Sequence, residues 1–454
     1  MNSKGLYGKM VLRIQRMTEN RIFKVYLLAM FALMAVRYLL KVDVPAATFL
    51  LVAMIPIWFG TTSEKLAFAV SCIPLSVAFQ YKYALLILSV AILMKNRWRI
   101  KRSGVLLVVA AMMVWELWHA VYGYFSYVEY LRDFAELILL GVVTSIDLHN
   151  VDHKLVIRSL AISVVGVCVI MLIMQLQQFG FDLAAVFGRS AHSFRFGQSN
   201  MASGRFALNF NANNLGFICN LATCGILLLV IRKERCRFDI ILAILSLVFS
   251  IMTLSRAAIV CAAMVFTAYI FMTQGKLTKR IWSIVGSIFI VLLALVLIRI
   301  FVPAVYENIA ERFQRADVWN GRGNLLKYYN QFVFSSPMYL LFGVGMQSIF
   351  EKVSPRYPVI DVPHMGLQEI WVAWGFVGLI LFGCVIWKII VTSRRYAGGK
   401  RLLYQFMPLG LTLVFTMSGQ ILTSSRALMA LTYAYICLCI TKDNLDAKKN
   451  MKIV

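Results

Sequence analysis

The run IWSIVGSIFIVLLALVLIRIFV, residues 281–302, follows the basic stretch Lys276-Leu-Thr-Lys-Arg280 and carries one charge, Arg299. At about 1.5 Å per residue such a run, coiled as a helix, reaches roughly 33 Å. That length crosses the ~30 Å hydrocarbon layer of a bilayer. A helix on a soluble core would show a polar face, and this one shows none. The basic cluster before the run marks the cytoplasmic side, because Lys and Arg are retained there. The chain therefore leaves the membrane on the far side at Pro303.

The same pattern recurs outward from this run. Of 454 residues, 61% are hydrophobic and 15% charged, against about 45–50% and about 25% in an average soluble domain. Fourteen apolar runs stand out, at 22–40, 44–60, 66–80, 83–94, 104–122, 131–146, 155–177, 210–231, 238–252, 256–272, 281–302, 366–390, 402–420 and 427–441. The fourth is short and the sixth amphipathic. Backbone amides in lipid need internal partners, so the runs predict helices. The expected fold is all-α: a polytopic transmembrane helix bundle of fourteen spans with a large, partly helical extracytoplasmic loop. The net charge of +26 punctuates apolar runs, so it reads as membrane orientation and anionic lipid, with no nucleic-acid partner. Eight of the nine cysteines fall in predicted helices and Cys236 in a cytoplasmic loop, which predicts no disulfide framework. No cleavable signal peptide is expected; the first twenty residues are polar and basic, and 22–40 is the first span.

With fourteen spans and the N-terminus inside, the clusters Lys95–Arg102, Arg232–Arg237, Lys276–Arg280 and Arg394–Arg401 and the Lys-rich tail all fall on the cytoplasmic side. The organisation that follows is a basic cytoplasmic N-terminus (1–21) and an N-terminal transmembrane bundle (22–177), then a first outer loop (178–205). Spans 206–302 come next, then the large extracytoplasmic loop 303–365, the C-terminal spans 366–441 and a basic cytoplasmic tail (442–454). Two segments of the large loop, around 304–314 and 322–333, are expected to be helical.

Arginines on the outer side oppose the orientation rule and suggest a compensating role. Arg189, Arg195 and Arg205 lie in the first outer loop; Arg312, Arg315, Arg322 and Arg356 lie in the second. Arg256 and Arg426 open spans at their outer ends, each within Thr-x-Ser-Arg-Ala, at 253–257 and 423–427. A planar guanidinium binds phosphate oxygens in two-pronged fashion, so an outward cluster suits a phosphate-bearing substrate. The competing reading is solvated or snorkelling side chains. His364 ends the long loop where the chain re-enters the membrane. A neutral imidazole, with an ordinary pKa of about 6.5, can accept a hydroxyl proton near pH 7. Counted along a helix from His364, Gln368 could orient it and Glu369 lies on an adjoining face; the competing reading is a helix cap. His192 is a second candidate base. His119, one turn from Glu116 inside a span, reads as a structural or proton-coupled pair. Aromatic residues near the outer interface, such as Trp115 and Trp118, read as an interfacial belt.

Four pieces resemble the O-antigen ligase/polymerase family of bacterial envelope enzymes, over about residues 200–390. They are Arg205-Phe-Ala-Leu-Asn-Phe-Asn-Ala-Asn-Asn-Leu-Gly216, with Ala212 where the family usually has proline, and Thr253-Leu-Ser-Arg-Ala257. The third is Gly321-Arg-Gly-Asn-Leu-Leu326 followed by Pro337 and Phe342-Gly-Val-Gly345. The fourth is His364 followed by Trp374-Gly-Phe-Val-Gly378, with Met365 where the family usually has Asn. The resemblance implies a multi-span glycosyltransferase of the bacterial cytoplasmic (inner) membrane; the basic clusters put both termini in the cytoplasm. It would take a glycan from a polyprenyl diphosphate carrier at the outer leaflet. The resemblance implies arginines that hold the diphosphate and a histidine that acts at the acceptor. The candidates for these are Arg205, Arg256 and Arg322, and His364 as the catalytic group, while His192, Arg426, Gln368 and Glu369 are accessory candidates by their place in the sequence. The expected partners are the polyprenyl-diphosphate-linked glycan, membrane lipid, and a chain-length regulator or flippase. No Asp-x-Asp pair occurs in the sequence, so arginine in place of metal is the simpler reading, with no cofactor. The leading function is polymerisation of repeat units into O-antigen, capsule or exopolysaccharide. An O-antigen-type ligase is the alternative in the same reaction class. A flippase or transporter is the alternative of another class, weakened by the absence of two visible half-repeats and of charges gathered at mid-membrane.

Overall fold

The computed structural model describes residues 20–99, 101, 103–121, 123, 125–178, 180–181, 208, 210–273, 275–301, 303, 306–307, 310, 314, 322–359, 362–396, 403–417, 419–422 and 426–440. Among these there are helices and turns and no strand. The N-terminal bundle holds α1 (Arg21–Met34, extended by a π-turn to Leu39), α2 (Ala46–Phe59), α3 (Thr62–Leu75) and α4 (Tyr81–Lys95). It continues with α5 (Gly104–His119), α6 (Tyr127–Asp133), α7 (Ala135–Ser145) and α8 (His153–Gln178). Four more follow: α9 (Ala212–Ile231), α10 (Arg237–Met252), α11 (Arg256–Thr273) and α12 (Leu277–Phe301). The large loop contains α13 (Arg322–Phe334), α14 (Pro337–Phe342) and α15 (Ile349–Val353), and the chain ends on α16 (Gly366–Ser393), α17 (Met407–Thr416) and α18 (Arg426–Leu438).

Helix α9 lies at the centre, packed against α8, α10, α11 and α17, and is buried along nearly all its length. Helix α18 is buried from Ala427 to Leu438. The periphery is the reverse of a soluble protein's. On α12, which packs mainly on α11, Trp282 is 70% and Phe301 75% exposed. Apolar side chains such as Leu28, Leu51, Leu107 and Phe289 are likewise bare. Apolar surface on that scale is covered in a membrane protein by lipid.

Polar contacts sort the helix ends into two sets. At one end Lys101 pairs with Asp147 (2.8 Å), the Asp152 amide donates to Ser63 (2.9 Å), and Arg158 grips Asp239 through Nε and Nη2 (2.7 and 2.8 Å). At the other end Lys82 pairs with Asp133 (3.1 Å), the Ser126 amide donates to Gln347 (2.8 Å), and Arg426 donates to Ser76 (3.1 Å). Chains that cross and recross a bilayer alternate in this way, and the basic stretches around Lys101 and Arg232 belong to the first end.

Five stretches are long and apolar enough to cross a membrane by length and composition: Arg21–Leu39, His153–Gln178, Ala212–Ile231, Arg256–Thr273 and Gly366–Tyr396. Shorter apolar helices accompany them, among them Ala46–Phe59, Gly104–His119 and Ala135–Ser145. Every one of the fourteen predicted runs contains a helix, though several are too short to span alone. Three boundaries differ from expectation. The amphipathic sixth run breaks at Phe134, because Asp133 is drawn to Lys82 and the helix restarts at Ala135. The run 402–420 leaves its helix at Thr416, and 419–422 folds back onto the start of α16. Helix α16 is not continuous: Gly375, with φ 65° and ψ −161°, breaks it. Of the two helices expected in the large loop, 322–333 is α13; most of 304–314 lies outside the described residues.

Candidate active site

The break in α16 is what holds the large loop. Gly343 and Gly345 also have positive φ, 78° and 87°, so this backbone can lie flat against the broken helix. Val344 N–H donates to Val372 and Ala373 carbonyls (3.0 and 3.1 Å), and Gly345 N–H donates to Ala373 (2.7 Å). Carbonyls freed by the break thus regain partners, the condition for irregular backbone at membrane depth. Glu116 completes the joint. Its carboxylate accepts from Met346 N–H (2.9 and 3.1 Å) and from Trp374 Nε1 (2.5 Å), while His119 Nε2 meets the Phe342 carbonyl (2.9 Å). The pair read as structural or proton-coupled therefore holds loop backbone. Aromatic stacking closes the outer layer: Phe332 on Tyr339 at 4.6 Å, with Arg356 over both rings. Arg356 serves packing here.

Two sequence motifs meet at the N-termini of α9 and α11. Asn211 caps α9 by accepting from Asn213 N–H (2.9 Å), and Asn213 Oδ1 accepts from Ser255 Oγ (2.7 Å). Ser255 Oγ in turn accepts from Ala258 N–H (3.3 Å), capping α11. Thr253 Oγ1 accepts from Ser255 N–H (3.3 Å) and donates to the Ser250 carbonyl (2.7 Å). Leu254, at φ 49°, makes the turn between α10 and α11. Gly216 permits the approach, since a Cβ there would sit 2.3 Å from Ala258 Cβ. Asn220 ties the pair lower down, donating to the Ala258 carbonyl at 2.7 Å. Arg256 is the first residue of α11 and half-buried. An arginine opening α11, with the capped start of α9 bonded to it through Asn213 and Ser255, makes this corner electropositive, suited to an anion.

His364 stands two residues before α16, whose N-cap is Met365, so it is not the cap. Its Nδ1 faces Gln420 Nε2 at 3.2 Å. Glu369, fully buried, accepts from Ile421 and Leu422 N–H (2.6 and 2.9 Å) and pins the 419–422 turn over the helix start. Gly366 leaves room for that turn: a Cβ would lie 3.1 Å from the Gly419 carbonyl. Gln368 does not reach His364. It donates to the Leu326 carbonyl and Asn330 Oδ1, both at 2.8 Å, and so ties α13 to α16. The orienting amide is Gln420. With its nitrogen on Nδ1, the ring carries its proton on Nε2; with the amide turned, its oxygen takes Nδ1–H and Nε2 carries the basic lone pair.

The two clusters belong to one layer. Phe217 of α9 stacks on Phe415 of α17 at 4.2 Å, and Gly419 seats against the Phe415 ring. Arg426, opening α18, lies 4.0 Å over Phe210, just before the α9 cap, and donates to Ser76. It therefore fastens this layer together. Arg205 and His192 lie outside the described residues, as do Arg189, Arg195, Arg312 and Arg315 and residues 423–425 of the second Thr-x-Ser-Arg-Ala copy. Arg322 begins α13. Among the described residues no group of three or more His, Cys, Asp or Glu is placed to hold a metal ion. Sequence reading missed Gln420, and it gave Glu116 a structural role without the loop backbone and Trp374 that it holds. A lone carboxylate in an apolar run was the available signal for Glu116; nothing in the sequence pointed from His364 to Gln420, fifty-six positions away.

Residues 241–383 match the model of the O-antigen ligase family. The matched region contains Thr253–Ala257, Gly321–Gly345, His364 and Trp374–Gly378, so three of the four resembling pieces lie inside it; Arg205–Gly216 lies before it and is joined to it through Asn213 and Ser255. No curated protein matches the chain. The match bears out the likeness to O-antigen ligases and polymerases and supports a glycosyl-transferring membrane enzyme that acts on lipid-linked glycans.

Proposed function

We propose that the protein polymerises polyprenyl-diphosphate-linked oligosaccharide repeat units at the outer face of the cytoplasmic membrane. The observation that carries this reading is the joining of the Arg256 corner and the His364–Gln420 pair through α9 and α17; Arg256 and His364 themselves lie within residues 241–383, the region similar to O-antigen ligases. In the reaction a hydroxyl oxygen of the acceptor glycan attacks the anomeric carbon of the donor. The bond from that carbon to the diphosphate oxygen breaks, and the electron pair leaves with the polyprenyl diphosphate. Arg256, with Arg205 and Arg322, stabilises the charge that gathers there; one preorganised contact of this kind contributes about 3–4 kcal/mol. His364 Nε2 takes the hydroxyl proton while Gln420 holds Nδ1–H. The arginines replace a metal in this scheme. The orientation assigns the end bearing His364 to the outside, the fourteen-span count and both termini inside, in line with the basic clusters at the opposite end. A chain-length regulator or flippase would work beside it.

Purified protein incubated with lipid-linked repeat units tests the reading. A ladder of sizes means polymerase. One-step transfer to an added lipid anchor means ligase, which the same site chemistry also serves. Movement across the membrane without bond formation means a transporter and overturns both.

A further inference from the structure

A cleft of about 580 Å³ opens at the same end of the bundle, between the α3–α4 corner, α6, and the loop around α15. Clefts of roughly this size hold ligands of small-molecule dimensions. Its lining carries two cations and two carboxylates that neutralise one another. Lys82 pairs with Asp133 at 3.1 Å, and Arg132 reaches Glu129 and Asp133, both at 3.4 Å. A diphosphate would meet two carboxylates here, and like-charge approach in a partly buried site is unfavourable. A neutral polyhydroxyl compound meets no such penalty. Paired carboxylates keep lone pairs to accept from hydroxyl groups, and Lys82 has three N–H donors for ring and hydroxyl oxygens. The walls supply flat apolar faces: Tyr83 is half-buried and Phe350 is 42% exposed. Such faces cover the C–H side of a sugar ring.

The position of the cleft bears on the reaction. Val362 and Leu422 line its edge. Val362 is two residues before His364, and Leu422 donates its N–H to Glu369 in the turn that carries Gln420. Ser76, also in the lining, receives Arg426. We propose that this cleft binds neutral sugar residues of the acceptor glycan and presents its attacking hydroxyl to His364. The inference rests on the glycosyl-transfer reading above and adds a glycan subsite separate from the arginine corner.

The test uses full-length protein in lipid nanodiscs and two probes. One is the oligosaccharide released by mild acid from the lipid-linked pool of the producing cells, free of diphosphate. The other is undecaprenyl diphosphate. Gln80→Trp fills the cleft mouth at an exposed position whose side chain makes no cap hydrogen bond. It should weaken binding of the released oligosaccharide at least tenfold. Tyr83→Ala and Phe350→Ala should weaken it about threefold to tenfold, the size of a lost ring contact. Undecaprenyl diphosphate should bind all three variants as it binds wild type, which also shows that they are folded. Oligosaccharide binding within twofold of wild type in all three overturns the proposal. Wild-type protein that binds undecaprenyl diphosphate and no released oligosaccharide overturns the cleft and leaves the function standing. Binding of neither probe overturns the functional reading and the cleft with it.

Discussion

Replacing Gly375 by alanine probes the joint between the large loop and the membrane helices. The residue sits at φ 65° and ψ −161°, a region open in practice to glycine alone, and the strain for another residue is about 1–3 kcal/mol. The added Cβ would lie 2.3 Å from the carbonyl carbon and oxygen of Leu341 and 2.4 Å from Phe342 N. These are backbone atoms and cannot rotate away, so overpacking adds about 1–3 kcal/mol. Relaxation relieves both together, which leaves a cost of about 2–4 kcal/mol. The easiest relief separates 341–346 from 372–375, and the Val344 and Gly345 amide bonds go with it. Hydrogen exchange of the protein in nanodiscs reads this directly. Amides at 344–346 should exchange roughly 30- to 1000-fold faster, at tenfold per ~1.4 kcal/mol, while α8 and α9 stay unchanged. Gly383→Ala is the control on the same helix. Nothing lies within 4 Å of its added Cβ, so it should be neutral or slightly stabilising. Equal exchange for Gly375→Ala and Gly383→Ala would refute the account of the glycine break.

Arg256→Ala should remove most transfer activity with the protein still in the membrane, and Arg256→Lys should rescue poorly because an ammonium cannot make a two-pronged contact; near-normal turnover in both ends the diphosphate role. Ser255→Ala removes the α11 cap and the Asn213 bond and should destabilise that corner by about 1–2 kcal/mol, seen as faster exchange at Ala258. A cysteine at position 335, in a cysteine-free background, should react with an impermeant reagent from outside, and one at position 103 should not; the reverse pattern inverts the orientation.

The bundle was legible because lipid makes span length and basic punctuation nearly sufficient. What escaped was everything set by contacts between distant segments. The break at Gly375 hides in an apolar run that reads as one helix, since only the approach of 341–345 makes it necessary. The restart at Ala135 depends on Lys82, fifty-one residues before Asp133. Counting helical positions from His364 points to Gln368, but α16 begins at Gly366, so the count runs over residues that are not helical. Ser255 and Asn213 were each legible as motif members, and their hydrogen bond was not, because order in sequence says nothing about which helix ends touch. The resemblance includes both pieces but is silent on their contact, and the family match begins after Asn213.

The His364–Gln420 pair distinguishes proton transfer from mere orientation. If Nε2 accepts the hydroxyl proton, Nδ1 must hold a hydrogen, and its partner must present an oxygen. Gln420 can do so only with its amide oxygen toward the ring; a glutamate there has no alternative. Gln420→Glu should therefore keep the productive tautomer and retain turnover at neutral or higher pH. Its carboxylate also favours the imidazolium, so the ring's pKa rises. The sign follows: the base works when unprotonated, a raised pKa leaves it protonated to higher pH, and the acid limb of the rate profile shifts upward. Gln420→Ala loses the orienting partner and should slow turnover without that upward shift. His364→Gln cannot act as a base and should fall roughly 100-fold or more, the usual size of general-base help. An unshifted acid limb in Gln420→Glu, together with more than a third of wild-type turnover in His364→Gln, would reduce His364 to a binding group. Glu369 is fully buried beneath the 419–422 turn, with Oε2 engaged by the Ile421 and Leu422 amides, so the search for a base would move to the first outer loop and His192.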